Sequence, residues 1–546
     1  MVARTKVRWM VRIGLVLTMV LTAVIAIGGP EAASAREAPK KPNIVMIMTD
    51  DQWLESMRVM PRTRELLGAG GVDFANFYAS ESICCPSRAT YLTGQYAHNN
   101  GVRHNAPPAG GYGKLNDKNT LPVWLKNAGY ATSHIGKYPN GYGKGDKTYV
   151  PPGWTEWRGS IDPTTYLMYG YTLNENGKLT TYGDPKVEDP RYYQTDVYRD
   201  KSVDFINRMA KADRPFFLST AFLAPHGEDL AAAGQPRAGG AGVGPAPRPA
   251  PRHKGKFADE PMPRKPWFDE ADVSDKPAYM RAYPRLTAQA KTQIEKSYRG
   301  RLEALLAVDE AVERIVGTLR QTGQLDNTYL VFAADNGFFF GEHRIPTGKY
   351  LPHQASSHLP LYVRGPGLPA GRTSRELVNN TDLAATIADA AGVRPGLAVD
   401  GRSLLPYARD PEKTSLRPVL HEAGNGALPT VAAETSAKDD PSGAAAARGD
   451  LDQDFTVAQG RRPPGQGQVL SVAYEAIRTR RYLYVRYVKG ERELYDYSVD
   501  PHELRSRHED PAYAEVVEHL DRHLDQLQGC KGTACGRAVP APPDPR

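Results

Sequence analysis

The chain of 546 residues is too long for one small domain and suits two or three. Its 40% hydrophobic and 24% charged residues are typical of a globular protein, and its 51 glycines and 45 prolines predict long loops. The formal net charge is +7, of which residues 1–35 contribute +3. The remaining +4 attracts polyanions only weakly, so we exclude nucleic acid as a partner.

Residues 1–35 have the three parts of a secretory signal peptide. The first twelve positions carry four basic residues, an apolar run follows over 13–27, and Ala33-Ser34-Ala35 is a suitable cleavage site. The alternative is a membrane anchor, but the run is shorter than the roughly 20 residues that a spanning helix needs. We therefore expect cleavage near Ala35, a secreted protein and no stable membrane anchor.

The first predicted element after this segment is a buried parallel strand over 44–48, which is apolar throughout. It is followed by Asp50 and Asp51, at the strand end where α/β sheets place their sites. Two adjacent carboxylates repel each other, so we expect a positive charge between them. The position favours a metal site over a solvated turn.

Residues 84–94, Cys-Cys-Pro-Ser-Arg-Ala-Thr-Tyr-Leu-Thr-Gly, predict a helix from about Pro86 to Leu92. Proline suits the first turn because its missing N–H would have no partner there. The start of a helix attracts anions, and Arg88 adds a permanent positive charge. This pattern predicts a sulfate or phosphate pocket beside Cys84, whereas the alternative is a buried cysteine pair before an ordinary helix.

Two further strands are predicted to end in polar residues. A short helix over 121–128 leads into a strand over 129–135, which is followed by Lys137. A third apolar strand covers 216–222 and is followed by His226. The alternatives are a surface lysine and a packed or surface histidine, but both positions lie just past a strand end, which favours function.

The next stretch separates the third strand from a long helix. Residues 231–252 are rich in Ala, Gly, Pro and Arg and predict a flexible loop, which either borders the site entrance or has no role. Residues 297–320 have apolar side chains at helical spacing. We interpret them as a packing helix and assign them no chemistry.

A fourth strand over 329–334 is followed by Asp335 and Asn336, again oxygen ligands at a strand end. Lys349 follows in a glycine-containing loop. A strand over 359–363 and a helix over 381–391 then continue the α/β pattern.

The C-terminal part changes character. Residues 425–468 are of low complexity. Short strands over 472–477, 482–488 and 493–497 predict an antiparallel sheet, covered by a helix over 511–527. Cys530 and Cys535 are better explained as a disulfide than as a metal clip.

Four separated motifs resemble those of the sulfatase family and occur in its order. Residues 84–94 match the signature in which a cysteine precedes x-Pro-Ser-Arg and then x-x-x-Leu-Thr-Gly. The other three are Asp50-Asp51, Gly136-Lys137 and Asp335-Asn336. The resemblance covers residues 42 to about 508. It implies an alkaline-phosphatase-like α/β fold, with a large mixed, mostly parallel sheet sandwiched by helices and a small C-terminal antiparallel sheet plus helix.

The expected domain organisation follows from this resemblance. A signal peptide would cover 1–35 and a catalytic domain 36–424, with the flexible 231–252 insertion inside it. The low-complexity insertion would cover 425–468, a C-terminal α+β subdomain 469–536, and a tail 537–546.

The resemblance also implies the chemistry. Cys84 would be oxidised to formylglycine by a formylglycine-generating enzyme, and a hydroxyl of its hydrate would attack sulfur. Ca²⁺, or Mg²⁺ as the alternative, would be held by hard oxygen ligands and by residue 84. Arg88, Lys137 and Lys349 would neutralise the sulfate oxygens, and His226 would protonate the departing sugar oxygen or orient the ester. The implied metal ligands are Asp50, Asp51, Cys84, Asp335 and Asn336.

The Gly-Lys-Tyr-x-Asn pattern at 136–140 looks like the N-acetylglucosamine-6-sulfatase branch. Many relatives carry a histidine where this chain has Pro139, and Asn140 is a candidate substitute. The loop 351–354 also departs from the family pattern. We expect sulfated sugars, such as N-acetylglucosamine-6-sulfate units of glycosaminoglycans, or related aryl sulfates as substrates. The alternatives are a phosphonate or phosphate ester hydrolase on the same scaffold, and a secreted glycan-binding protein without catalysis.

Overall fold

The computed structural model of the protein describes residues 40–212, 214–234, 243–424 and 473–545. The predicted signal peptide and the 425–468 insertion lie outside these residues, as does the middle of the 231–252 loop. Within the described ranges, no helix combines the length and apolarity needed to cross a bilayer.

Seventeen strands occur in the described part of the chain. They are β1 (Asn43–Asp50), β2 (Val72–Phe74), β3 (Phe77–Tyr78), β4 (Ala131–Gly136), β5 (Glu156–Ser160), β6 (Tyr171–Glu175), β7 (Lys178–Tyr182), β8 (Phe216–Pro225), β9 (Thr328–Ala334), β10 (His358–Leu359), β11 (Leu361–Arg364), β12 (Arg372–Ser374), β13 (Val378–Asn379), β14 (Val419–Ala423), β15 (Tyr474–Arg478), β16 (Tyr482–Tyr487) and β17 (Arg492–Asp496).

Eleven α-helices occur in the same ranges. They are α1 (Pro61–Thr63), α2 (Cys84–Thr93), α3 (Ala97–Asn100), α4 (Leu121–Asn127), α5 (Gln194–Met209), α6 (Ala278–Arg281), α7 (Ala288–Gln321), α8 (Gln354–Ser357), α9 (Thr381–Ala390), α10 (Leu405–Arg409) and α11 (Ala514–Leu527).

The larger sheet has ten strands in the order β12-β2-β11-β9-β1-β8-β4-β5-β6-β7. Its five central strands, from β9 to β5, run parallel, and antiparallel strands flank them. A separate sheet has three strands in the order β10-β3-β13. The mixed, mostly parallel arrangement of the larger sheet confirms the predicted fold class.

Helices cover both faces of the larger sheet. Val45 and Ile47 of β1 pack in one apolar cluster with α5 and α7, whereas Ile44 and Met46 pack in a second cluster with α2, α4 and α9. A strand buried on both faces needs apolar residues at every position, which explains the unbroken apolar run that predicted it.

The C-terminal sheet is antiparallel, as predicted, and α11 packs against it. It has a fourth strand that the sequence did not predict: β14, which pairs with β15 and precedes residues 425–472 in the chain. Cys530 and Cys535 form the predicted disulfide. The domain boundaries stay a prediction.

Most predicted elements differ by one to three residues at their ends, and three of them differ in a way that has a structural cause. α7 begins at Ala288 instead of 297, because the Thr287 side chain caps it by accepting from the Ala290 N–H at 3.1 Å. The predicted strand 359–363 is two strands, since Pro360 between them has no N–H to donate. α2 begins at Cys84, two residues before the predicted start.

Candidate active site

The polar residues that follow four neighbouring strands meet at one edge of the larger sheet. β9, β1, β8 and β4 are adjacent and parallel, and in their register Thr49 pairs with Ala334 and Asp50 with Pro225. Their carboxyl ends therefore lie side by side. This brings together residues such as Asp51 and Asn336, which are 285 positions apart in the chain.

Cys84 is fully buried at this edge, as the first residue of α2. Its Sγ lies 3.2 Å from Asp50 Oδ1, and Lys349 Nζ donates to Sγ at 3.0 Å. The Cys85 N–H at the start of the helix donates to Asn105 Oδ1 at 2.8 Å. A side chain from a distant loop thus satisfies this helix end, which explains why the helix starts before Pro86.

Asp50 and Asp51 form a cluster with Cys84 and His226 in which the candidate ligand atoms all lie within 4.8 Å of one another. Asp51 is joined to the end of β9 because its N–H donates to Asp335 Oδ1 at 3.2 Å. Asn336 Nδ2 donates to Asp51 Oδ1 at 2.6 Å.

The oxygen atoms of this cluster fit a hard divalent cation. Asn336 Oδ1 is buried and has no hydrogen-bond partner in the part of the chain that the structure describes. A buried carbonyl oxygen without a donor is costly, and a metal ion would satisfy it. Three carboxylates and one amide oxygen suit Ca²⁺ or Mg²⁺ rather than zinc.

Positive side chains surround the carboxylates. Arg88 Nη2 lies 2.8 Å from Asp335 Oδ2 and 3.6 Å from Asp50 Oδ2, and Lys137 forms an ion pair with Asp50. Burial alone would raise the pKa of Asp50, but Lys137, His226, Arg88 and Lys349 outweigh it and hold that pKa well below its usual value. Asp50 is therefore ionised although it is buried.

The pKa of Asp335 shifts in the opposite direction, upward. Burial and the charge of Asp50 raise the pKa of Asp335, and Arg88 opposes them. Two carboxylates that share one arginine repel each other, and this repulsion is one cause of the raised pKa of Asp335.

The imidazole of His226 is oriented by the backbone. Its Nδ1 lies 2.7 Å from the Gly227 carbonyl oxygen, and because a carbonyl only accepts, Nδ1 carries a proton. Its Nε2 lies 3.7 Å from Asp51 Oδ2. The ring therefore presents Nε2 to the cluster.

The described part of the 231–252 loop contacts two residues that lie close in the chain to Lys349 and His226. Gly244 N–H donates to Thr347 Oγ1 at 2.8 Å, two residues before Lys349. Arg248 Nε donates to Glu228 Oε2 at 2.6 Å, two residues after His226. Whether the loop borders the site entrance or has no role stays a prediction.

The structure places every predicted site residue at this one location. All are at most 2% exposed. The set consists of Asp50, Asp51, Cys84, Arg88, Lys137, His226, Asp335, Asn336 and Lys349.

Sequence reasoning missed two residues here. Arg301 is fully buried on α7, with Nη1 3.5 Å from Asp51 Oδ2 and its guanidinium carbon 3.7 Å from the centroid of the Phe338 ring. An arginine on the apolar face of a packing helix was an available signal. Tyr166 lies against Lys137 and His226, but a tyrosine in a loop carries no comparable signal.

Comparisons with known proteins agree with this geometry. Residues 42–393 match the family model described as Sulfatase. The chain is 35% identical over 408 residues to an arylsulfatase of Volvox carteri, covering 71% of this chain and 62% of that protein. It is 34% identical over 404 residues to human N-acetylglucosamine-6-sulfatase, covering 72% and 68%.

The match spans a smaller share of some longer relatives. It covers 48% of a putative extracellular sulfatase Sulf-1 homolog of Caenorhabditis elegans and 66% of this chain, at 34% identity. The chain thus spans about half to two thirds of the length of several curated relatives.

Two solved structures share the fold. One is described as a complex with its substrate D-glucosamine-2-N,6-O-disulfate, with a TM-score of 0.69, 23% identity and coverage of 90% of this chain and 98% of that chain. The other is a phosphonate monoester hydrolase of Agrobacterium radiobacter, with a TM-score of 0.62, 21% identity and coverage of 89% and 95%. At these identities the likeness concerns the fold alone.

Proposed function

The chain belongs to the sulfatase family, and from that premise we propose that it hydrolyses sulfate esters of sugars. The observation that carries the proposal is the position of Cys84, which lies within 3.2 Å of both a carboxylate and a lysine in a buried cationic cluster. Such a cluster can bind a tetrahedral oxyanion next to residue 84.

We further propose that Cys84 is oxidised to formylglycine by a dedicated maturation enzyme. The hydrated aldehyde would supply two hydroxyls on one carbon, one to attack sulfur and one to release the sulfate. Burial raises the pKa of the neighbouring Cys85 thiol to about 12, so this thiol is not ionised at neutral pH in the folded chain.

A divalent cation, Ca²⁺ or alternatively Mg²⁺, would be held by oxygens of Asp50, Asp51, Asp335 and Asn336 together with residue 84. When bound, it would offset the carboxylate charges and acidify a hydroxyl on residue 84. The cluster of Asp50, Asp51 and Cys84 and the contacts of Asp51 with Asp335 and Asn336 support the assignment. The lack of a partner for Asn336 Oδ1 within the described residues also supports it.

The remaining steps are assigned to side chains of this chain. Arg88, Lys137 and Lys349 would bind the sulfate oxygens on which charge accumulates. His226 would give the proton on Nε2 to the departing sugar oxygen. Its Nδ1–H is engaged by the Gly227 carbonyl, so Nε2 is the nitrogen that can exchange a proton with substrate.

The substrate class is inferred from relatives. A human relative is named N-acetylglucosamine-6-sulfatase, and the structure with the TM-score of 0.69 is described with a glucosamine disulfate. We propose N-acetylglucosamine-6-sulfate-type units, as in glycosaminoglycans, as substrates. Relatives named extracellular sulfatases support secretion.

A phosphonate or phosphate ester hydrolase is the second candidate. The shared fold with a phosphonate monoester hydrolase favours it, because sulfate and phosphate esters have the same tetrahedral shape. Turnover of matched aryl sulfate and aryl phosphate esters discriminates between the two.

The test of the proposed function is made at Cys84. We expect the peptide that contains residue 84 to be about 18 Da lighter than its thiol form, as expected for an aldehyde in place of CH₂SH. Cys84→Ser should lower turnover of a sulfate ester at least about 10³-fold with an unchanged melting temperature, since serine cannot form the twin hydroxyl.

Cys85→Ser is the matched control and should keep both the mass change and turnover. An unmodified thiol in protein from the native host, or normal multiple turnover by Cys84→Ser, would contradict the proposal. An unmodified thiol would instead favour the glycan-binding alternative.

A further inference from the structure

Tyr166 is a buried residue that contacts two groups of the site described above and also Asn140. Its ring centroid lies 4.7 Å from Lys137 Nζ and 5.1 Å from the ring centroid of His226. Its hydroxyl accepts a hydrogen bond from Asn140 Nδ2 at 2.8 Å. Tyr166 and Asn140 are 1% and 5% exposed.

The backbone on both sides of Tyr166 is held in place. Gln194 Nε2 donates to the carbonyls of Thr165 and Leu167 at 3.0 and 2.8 Å, and the Asp229 N–H donates to the Tyr166 carbonyl at 3.0 Å. The tyrosine is thus a fixed support, and its bond to Nδ2 sets the orientation of the Asn140 amide.

This orientation leaves one polar atom unsatisfied. Asn140 Oδ1 is buried and has no hydrogen-bond partner within the described ranges. A buried amide oxygen without a donor costs free energy, so a position that keeps one needs an explanation. A ligand that supplies a hydroxyl or amide N–H would satisfy it.

The position of Asn140 indicates which part of a substrate would bind Oδ1. Asn140 is three residues after Lys137, and Tyr166 bridges it to His226, whose Nε2 faces the departing oxygen in the proposed reaction. The Asn140 amide and the imidazole of His226 thus contact the same tyrosine, and this shared contact associates the amide with the leaving group of the proposed reaction.

We propose that Asn140 is a specificity-determining residue and that Tyr166 is its positioning residue. Asn140 Oδ1 accepts a hydrogen bond from a hydroxyl or amide N–H near the ester oxygen, which selects sugar sulfates over aryl sulfates. Simple aryl sulfates have no donor at that place. The inference rests on the proposed function, because it names the leaving group of the same reaction.

The test compares two substrates in one ratio: kcat/KM for N-acetylglucosamine 6-sulfate divided by kcat/KM for 4-nitrophenyl sulfate. Asn140→Leu removes the acceptor, and we expect the ratio to fall at least about tenfold. Tyr166→Phe keeps the ring over Lys137 but removes the hydroxyl that holds the Asn140 amide. It should therefore also lower the ratio, by a smaller factor than Asn140→Leu. The exposed Asn116→Leu is the matched control and should keep the wild-type ratio.

A binding experiment separates this inference from the proposed function. The Cys84→Ala chain is titrated by calorimetry with N-acetylglucosamine 6-sulfate and with inorganic sulfate, with and without Asn140→Leu. We expect Asn140→Leu to weaken the sugar sulfate about tenfold more than it weakens sulfate.

The outcomes are distinguishable. The inference would be overturned if Asn140→Leu weakened the binding of both ligands equally or lowered kcat/KM equally for both esters. It would also be overturned if the sugar sulfate did not bind. Oδ1 would then be explained by a bound water. If the wild-type protein turns over no sulfate ester, the proposed function fails, and the calorimetric difference still decides the role of Asn140.

Discussion

Charge at the active-site edge is set by individual residues far apart in the chain. The carboxylates of Asp50, Asp51 and Asp335 meet four basic side chains, those of Arg88, Lys137, Lys349 and Arg301. Every one of these side chains is at most 2% exposed, so solvent screens their interactions little. A divalent cation would satisfy the remaining oxygen lone pairs.

This leads to a prediction about metal binding. Addition of Ca²⁺ to EDTA-treated protein should raise the melting temperature, because an ion that binds only the folded state stabilises it by about 3 kcal/mol at a hundredfold excess over Kd. Asn336→Leu removes a proposed ligand and should lose most of the Ca²⁺-dependent increase. Differential scanning fluorimetry measures both.

Asn336→Asp is the control for this experiment, since it keeps an oxygen at the same place and should keep the increase. Identical melting curves in EDTA and in excess Ca²⁺ for the wild-type protein would refute the site.

At the scale of elements, the site depends on how closely the end of β4 approaches β8. Gly136, the last residue of β4, has φ of +105°, and a Cβ there would lie 2.1 Å from the carbonyl oxygen of Ala221 and 2.8 Å from the Tyr198 ring. Only glycine combines this backbone conformation with this contact. The next residue is Lys137, so the approach also positions a cation of the site.

We predict that Gly136→Ala lowers the free energy of unfolding by about 3 kcal/mol, because backbone strain and overpacking add. Gly129→Ala separates the two causes: Gly129 has φ of +92°, and a Cβ added there would meet nothing within 4 Å, so only strain of about 1 kcal/mol is expected. Urea unfolding of both variants gives the comparison. Equal losses would show that the strand approach is not the constraint.

At the scale of the whole molecule, a buried ionic network joins the loop before Lys349 to the C-terminal part. His343 Nδ1 lies 2.6 Å from Glu270 Oε2, and its Nε2 lies 3.8 Å from Glu503 Oε2. Burial alone would lower the pKa of His343, but the two glutamates outweigh it and raise the pKa to about 9. The C-terminal residues thus hold the loop that carries Lys349.

The sign of the pH dependence follows from this shift. The folded pKa of about 9 lies above the ordinary 6.5 of histidine, so the stabilisation is complete below pH 6.5 and is lost as pH rises through 9. We expect the contribution of His343 to the free energy of unfolding to fall by about 3 kcal/mol over this pH range.

His343→Gln should be less stable at pH 6 but should lose this pH-dependent decrease, whereas His519→Gln on α11 should keep it. The midpoints of urea unfolding, measured between pH 6 and pH 9 for the wild-type protein and both variants, give the comparison. A decrease of the same size in His343→Gln would assign the pH dependence to other groups.

How much the sequence predicted differs from one part of the site to another. The strands β1, β8 and β9 were predicted from their largely apolar runs, which a strand buried on both faces needs. The strand β4, which carries Thr132, Ser133 and His134, was predicted from its place after a short helix. The residues after them were predicted because they follow strand ends. Arg301 and Tyr166 were missed, since their roles arise from contacts between segments that no local pattern encodes.

The amino-acid sequence by itself determined the family, the α/β class and the identity of the polar residues at the strand ends, because these depend on local periodicity and on motifs read within a few residues. Only the tertiary structure decided that α2 starts at Cys84, that β14 joins the C-terminal sheet, and that Asn140 Oδ1 lacks a partner within the described ranges. Each of these depends on a side chain or strand brought from a distant part of the chain, and such long-range contacts are fixed by the packing of the whole sheet.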